Sequence, residues 1–278
     1  MRTLIAAVIM LSATMALAGS EAKVNTLTAP SGVRFAMLGA KAAKPSPVIF
    51  VFATTAQDSL GTGTYNQTAS ALVERGFIAV SLDLPGHGDD AMPGEPNALA
   101  AWRKRIEQGD NFLPGFLAKA RGVLDYLVAE GYADPKRVVA SGTSRGGFIA
   151  MHFAASDPRV GCVAAFAPVT DLLCLNEFSG MQGNQTATSL ALVNYADKLA
   201  DRSLWICIGN NDRRVGTDSA IAFSRAVVKA AFARSLPAKV DLHVVNGLPH
   251  AQGHLVHAGA YKDAANWILG QVSTTGDQ

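Results

Sequence analysis

Arg137-Val138-Val139-Ala140-Ser141-Gly142-Thr143-Ser144-Arg145-Gly146-Gly147-Phe148-Ile149-Ala150-Met151-His152-Phe153-Ala154-Ala155 contains a β-prone run, a glycine-framed serine and an apolar helical run in immediate succession. Asp134-Pro135 opens the β-prone part. Gly142 to Gly146 is a G-x-S-x-G pentapeptide. Alone it fits any glycine-rich strand-to-helix turn. Between a strand and a helix it predicts a nucleophile elbow, a sharp turn that lifts a serine hydroxyl at the carboxyl edge of a sheet. The turn strains the serine backbone, so Gly142 and Gly146 are expected where other chain segments approach closely.

The same alternation extends in both directions. Val24 to Leu38 reads as a hairpin turning at Pro30-Ser31-Gly32. Pro47 to Ala53 is a continuous apolar run, as expected of a strand covered on both faces. A helix over Asn66–Arg75, capped by Gly76, leads to a strand over Phe77–Asp83. A long amphipathic helix over Asn111–Glu130, closed by Gly131, precedes the elbow strand. Beyond the elbow helix come strands at Val160–Phe166 and Leu204–Gly209, a helix over Asp218–Ser235 with Asp218 as its cap, a strand at Lys239–Val245 and a helix over Ala258–Gln271. Strands alternating with helices predict an α/β fold, with a mostly parallel central sheet and helices on both faces. Leu84–Asp110 and Asp171–Asp201 fit no regular unit; each reads as a lid or binding loop, or as a packed surface excursion.

Composition bounds the reading. Of 278 residues, 49% are hydrophobic and 17% charged, which predicts a large core and excludes disorder. At net charge +2, with no Lys/Arg cluster, nucleic-acid binding is not expected. Arg2, the apolar run Leu4–Leu11 and the small-x-small Ala16-Leu17-Ala18 read as a signal peptide over residues 1–18. Residues 19–278 then form one catalytic domain, with 171–201 as a candidate small lid insertion. The expected location is periplasmic or extracellular, without stable membrane insertion after cleavage. An exported chain allows disulfides, but Cys162, Cys174 and Cys207 are odd in number, and only a Cys162–Cys174 bridge is considered. No spacing suggests a metal site, and no cofactor is implied.

A serine hydroxyl needs a histidine to take its proton, and that histidine needs an acid to hold it. In chain order the acid follows the strand after the elbow unit, and the base follows the last strand. Asp212, in Gly209-Asn210-Asn211-Asp212-Arg213-Arg214-Val215, is the candidate acid. His250 and His254 both lie after the last strand, and periodicity does not separate them; His257 is a weaker third. His87, His152 and His243 have structural readings, although His87 lies near the sheet edge. For the oxyanion, the backbone N–H of Arg145 is one expected donor, and Thr54 or Thr55, with Thr55 preferred, the other.

These segments resemble the α/β-hydrolase superfamily, near its prolyl-oligopeptidase-like and dienelactone-hydrolase-like serine esterases. Asp83-Leu84-Pro85-Gly86-His87-Gly88 resembles the family's D-x-x-G-x-G stretch, and Gly209 to Val215 its G-x-x-D-x-x-V acid segment. Gly253-His254-Leu255-Val256, ahead of Ala264-Ala265-Asn266-Trp267-Ile268, resembles its G-H-x-[IV] segment and closing helix. The resemblance implies an α/β-hydrolase fold and a Ser144–Asp212–His254 triad, with His250 as the alternative base. It implies hydrolysis of a small carboxylic ester through an acyl-enzyme. The rival readings are a prolyl-oligopeptidase-like peptidase, which usually carries a further large domain, and a non-catalytic binding protein on the same fold. Acyl and leaving groups and oligomeric state are not legible.

Overall fold

The computed structural model describes residues 23–246, 250 and 259–275. In chain order the elements are β1 (Asn25–Thr28), β2 (Arg34–Leu38), β3 (Ser46–Phe52), α1 (Ala56–Gly61), α2 (Gln67–Val73), β4 (Ile78–Ser81), α3 (Leu99–Glu107), α4 (Phe112–Ala129), β5 (Ala133–Thr143), α5 (Arg145–Ser156), β6 (Val160–Phe166), α6 (Gln185–Ser189), α7 (Ala196–Leu199), β7 (Ser203–Gly209), α8 (Thr217–Ala233), β8 (Val240–Val245) and α9 (Ala260–Thr275). They build an 8-stranded sheet in the order β1-β2-β4-β3-β5-β6-β7-β8. The hairpin β1–β2 and the β2–β4 pair are antiparallel, and every pair from β4 through β3 to β8 is parallel.

The period of two along each strand sorts side chains to two faces. Val48, Phe50 and Phe52 of β3 enter one core with Trp102 of α3, Leu124 of α4, Phe148 of α5 and Phe223 of α8. Ile49 and Val51 enter the other, with Leu60 of α1, Leu72 of α2 and Ile268 of α9. Both faces of the central strands are therefore covered, which is why they read as continuous apolar runs. The hairpin turn closes with Gly32 at φ +82, and Asn111 caps α4 by accepting from the Leu113 N–H. Among the described residues, no helix is long and apolar enough to cross a membrane.

Three details differ from the sequence reading. Residues 84–110 contain a regular helix, α3, with Leu99, Trp102 and Ile106 buried along one side. That i, i+3, i+7 spacing is in the sequence, masked by the Arg103-Lys104-Arg105 run. Asp171–Asp201 breaks into short helical turns, and its Leu172, Phe178, Leu192 and Leu199 are buried in the main core. Asp218 lies in the first turn of α8 rather than at the cap, which is Gly216 at φ +83. Cys162, Cys174 and Cys207 are all unbridged. Cys162 packs under the sheet, whereas the Cys174 thiol lies 3.1 Å from the Ser219 hydroxyl. The segment proposed as a signal peptide lies outside the described residues.

The stretch 84–110 is clamped by charge. Arg105 is buried and contacts Asp90 at 2.7 Å and Glu95 at 2.6 Å. The Trp102 indole N–H donates to the Pro85 carbonyl at 2.7 Å. The Arg105 hydrogen bonds hold Glu95 below the usual carboxylate range. At Asp90 burial acts in the opposite direction, but bonds from Lys119, the Gly86 N–H and Arg105 outweigh it, and the carboxyl is also lowered. Carboxyls depressed in the folded state stabilise it above their unfolded pKa values, and the stabilisation is lost as pH falls through the folded ones. Arg105→Ala leaves two carboxylates facing each other, and its expected cost is about 3 kcal/mol at neutral pH. Urea unfolding tests this; the deficit should shrink as the pH is lowered below the carboxylate range.

Candidate active site

Ser144 sits between the end of β5 and the start of α5 with φ 55 and ψ −117, a conformation that costs a non-glycine residue energy and survives only where its surroundings fix it. The Ser144 N–H donates to the Phe166 carbonyl at 2.9 Å, and the Ser144 carbonyl accepts from Gly147 and Val169, both at 3.0 Å. The framing glycines are needed for contact rather than for φ. A Cβ on Gly146 would collide with the Phe52 carbonyl, and one on Gly142 with the Gly146 backbone. A Cβ on Gly147 would lie 2.7 Å from the Pro168 Cβ. The elbow is thus pressed onto the ends of β3 and β6.

Asp212 follows β7 in a tight turn. Its backbone N–H donates to the Thr217 hydroxyl at 3.0 Å, and that hydroxyl donates to the Gly209 carbonyl at 2.6 Å. Asp212 Oδ1 accepts the Arg214 and Val215 N–H groups at 2.9 and 3.1 Å. Asp212 Oδ2 lies 2.8 Å from His250 Nδ1, with the two side chains only 2% and 7% exposed. Burial works to raise the Asp212 pKa, but the bonds from His250 and from the Val215 and Arg214 N–H groups outweigh it and hold the carboxyl below its usual range. A carboxylate can only accept, so His250 carries a proton at Nδ1, and in the neutral ring Nε2 is the basic nitrogen. His254 and His257 lie outside the described residues. Of the residues weighed for the base, His250 is the one described, and it lies beside Asp212.

The loop after β3 is fixed by a residue that the sequence reading quoted but gave no role. Asp83, after β4, accepts the Ala56 N–H on Oδ1 and the Asp89 N–H on Oδ2, both at 2.7 Å. A Cβ on Gly88 would strike this carboxylate, which explains the glycine there. Thr54 donates its N–H to the Ser59 hydroxyl at 3.2 Å. Thr55 is the N-cap of α1, its hydroxyl accepting from Asp58; no acceptor among the described residues takes its N–H. Arg145 is the first residue of α5, where a helix leaves its N–H without an intrahelical acceptor. The Thr55 and Arg145 N–H groups are thus available as donors on these two segments.

The other histidines have packed positions. His152 is buried in α5, where its Nε2–H donates to the Leu190 carbonyl at 3.1 Å, and burial pushes its pKa down to about 3. The His243 ring lies 5.0 Å from Trp205. His87 Nδ1 lies 3.0 Å from the Pro85 carbonyl; burial first, and then the Arg145 charge, lower its pKa. Among the described residues, no group of three His, Cys, Asp or Glu side chains could hold a metal ion.

The profile of the prolyl oligopeptidase family matches residues 64–274. The chain belongs to the prolyl oligopeptidase family. It has the α/β-hydrolase fold and is a serine hydrolase of that type. The family match takes in the elbow, Asp212 and His250 but begins after the loop that carries Thr55. Solved structures agree in fold. A cold-adapted esterase from an Arctic intertidal metagenomic library matches with TM-score 0.61 and 17% identity, over 88% of this chain and 91% of its own. A Klebsiella pneumoniae protein described as a dienelactone hydrolase gives 0.64 and 16%, over 91% and 99%. The acylaminoacyl peptidase of Pyrococcus horikoshii gives 0.66 and 13%, over 89% of this chain but 41% of its own. No curated protein sequence matches the chain.

Proposed function

We propose that this prolyl oligopeptidase family member is an exported hydrolase of carboxylic esters, acting through an acyl-enzyme on Ser144 with His250 as base. The carrying observation is the buried 2.8 Å contact of His250 Nδ1 with Asp212 Oδ2. Ser144 Oγ attacks the acyl carbon as His250 Nε2 takes its proton. Asp212 stabilises the imidazolium, and the Arg145 and Thr55 N–H groups receive the oxyanion. The protonated His250 then gives its proton to the departing alkoxide. Water, deprotonated by the same nitrogen, attacks the acyl carbon and releases the acid and Ser144. His250 replaces His254 in this reading because Asp212 Oδ1 is committed to its own turn, and Oδ2 faces His250.

The ester reading is supported by the Arctic esterase and the Klebsiella pneumoniae dienelactone hydrolase, which share the fold over 88% and 91% of this chain. The family profile itself favours a second reading, a peptidase using the same triad. A panel of p-nitrophenyl esters of graded acyl length beside aminoacyl p-nitroanilides decides between them. The expected result is turnover of short-chain esters with kcat/KM well above that for any anilide; the reverse order establishes the peptidase. Export is supported by Arg2, Leu4–Leu11 and Ala16-Leu17-Ala18. N-terminal sequencing of the mature protein tests it, with Gly19 expected first and Met1 contradicting it.

A further inference from the structure

Arg145 gives only its backbone N–H to the proposed chemistry, and its side chain is placed for something else. The guanidinium is folded back over the end of β3, where Nε–H donates to the Ala53 carbonyl at 3.0 Å. It is half-buried, and burial lowers its pKa, the largest influence on it. It feels the charges of Glu177 and Arg214, and it acts in turn on His87. All of these side chains rise from loops at the carboxyl edge of the sheet, around the residue that follows Ser144.

Glu177 Oε1 is ion-paired with Arg214, while its Oε2 is buried without a hydrogen bond among the described residues. Asp83 receives two backbone N–H groups. Glu107 is paired with Arg103 at 2.7 Å, and Arg103 Nη1 also donates to the carbonyls of Glu177 and Ser179 at 2.8 and 3.1 Å. Among the described residues, Arg145 forms no ion pair. Residues 247–258 include no Asp or Glu in their sequence. A partly desolvated guanidinium without a direct ion pair is costly to keep in a folded protein. With Nε used on Ala53, its two terminal nitrogens still offer the planar fork that matches a carboxylate.

We propose that Arg145 recognises a carboxylate on the substrate, so that the enzyme prefers esters bearing a negative charge a few atoms from the scissile carbonyl. This rests on Ser144 being the reacting centre. The charge can be carried by the acyl part or by the leaving group, and guanidinium recognition serves either. Arg145 is then a specificity residue, its side chain supplying the counter-charge and its backbone the oxyanion donor.

Two pairs of matched esters test the proposal on the wild-type protein. 4-Nitrophenyl hydrogen glutarate against its methyl ester places the charge on the acyl side. 4-Acetoxybenzoate against its methyl ester places it on the leaving group. The expected result is a preference of about tenfold or more in kcat/KM for the anion in at least one pair, as for a charge-assisted hydrogen bond. The preference should fall with added salt, vanish in Arg145→Gln and return in part in Arg145→Lys. Ratios near one in both pairs, or a preference unchanged in Arg145→Gln, overturn the proposal. Calorimetric titration of Ser144→Ala with monomethyl and dimethyl glutarate reads the same preference without turnover. Tighter binding of the monoanion with no hydrolysis of any ester would keep the recognition and remove the hydrolase. Hydrolysis of neutral and anionic esters alike would do the opposite.

Discussion

His250→Ala is expected to lower kcat for an ester substrate by about 10⁴-fold or more, while His254→Ala keeps most of its turnover. The difference comes from one carboxylate. Asp212 is held in its turn by two backbone N–H groups on Oδ1, so only Oδ2 is available to orient an imidazole, and His250 is on it at 2.8 Å. Without that ring no base takes the serine proton. The buried carboxylate also loses a hydrogen bond, at an expected cost of about 1–3 kcal/mol in stability. Circular dichroism and a thermal melt at the assay temperature separate that loss from the catalytic one. A folded His250→Ala with near wild-type kcat, beside an inactive His254→Ala, would return the base to His254.

Ser144→Ala is expected to remove about 10⁴- to 10⁶-fold of kcat, with little effect on folding. The methyl group fits the φ 55 backbone as well as the serine does, because the strain there belongs to any residue with a Cβ. The Ser144 backbone bonds to Phe166, Gly147 and Val169 do not involve the hydroxyl. Stability at or slightly above the wild-type value, with turnover lost, is the combination expected of a residue held strained for its chemistry. Comparable losses in both would instead make Ser144 a structural residue of the turn. Single-turnover kinetics on the wild type, with a burst of p-nitrophenol before the steady state, check the acyl-enzyme directly.

What could be read from the chain alone was what is local. The elbow is contiguous, and its strand and helix flank it in sequence, so 137–155 carried the fold class. Asp212 was legible because a buried strand ends immediately before it. The choice of base was not, because His250 and His254 are four residues apart in a stretch without periodicity, and the contact of His250 with Asp212 spans 38 positions. Asp83 was visible only as part of a motif; its role depends on N–H groups 27 and 6 residues away. The same holds for Arg145, whose side chain is fixed by a carbonyl 92 residues upstream. The α3 helix was missed for another reason. Its three apolar positions are spaced correctly, but Arg105 lies among them and is buried only because Asp90 and Glu95 neutralise it. Charge in a sequence reads as surface until its partners are located.

The most direct measurement is covalent labelling of the wild-type protein with a fluorophosphonate probe, followed by peptide mapping. The account predicts one modified residue, Ser144, with labelling abolished in Ser144→Ala and strongly slowed in His250→Ala. A folded wild-type protein that takes up no label, or takes it on a residue other than Ser144, would contradict it.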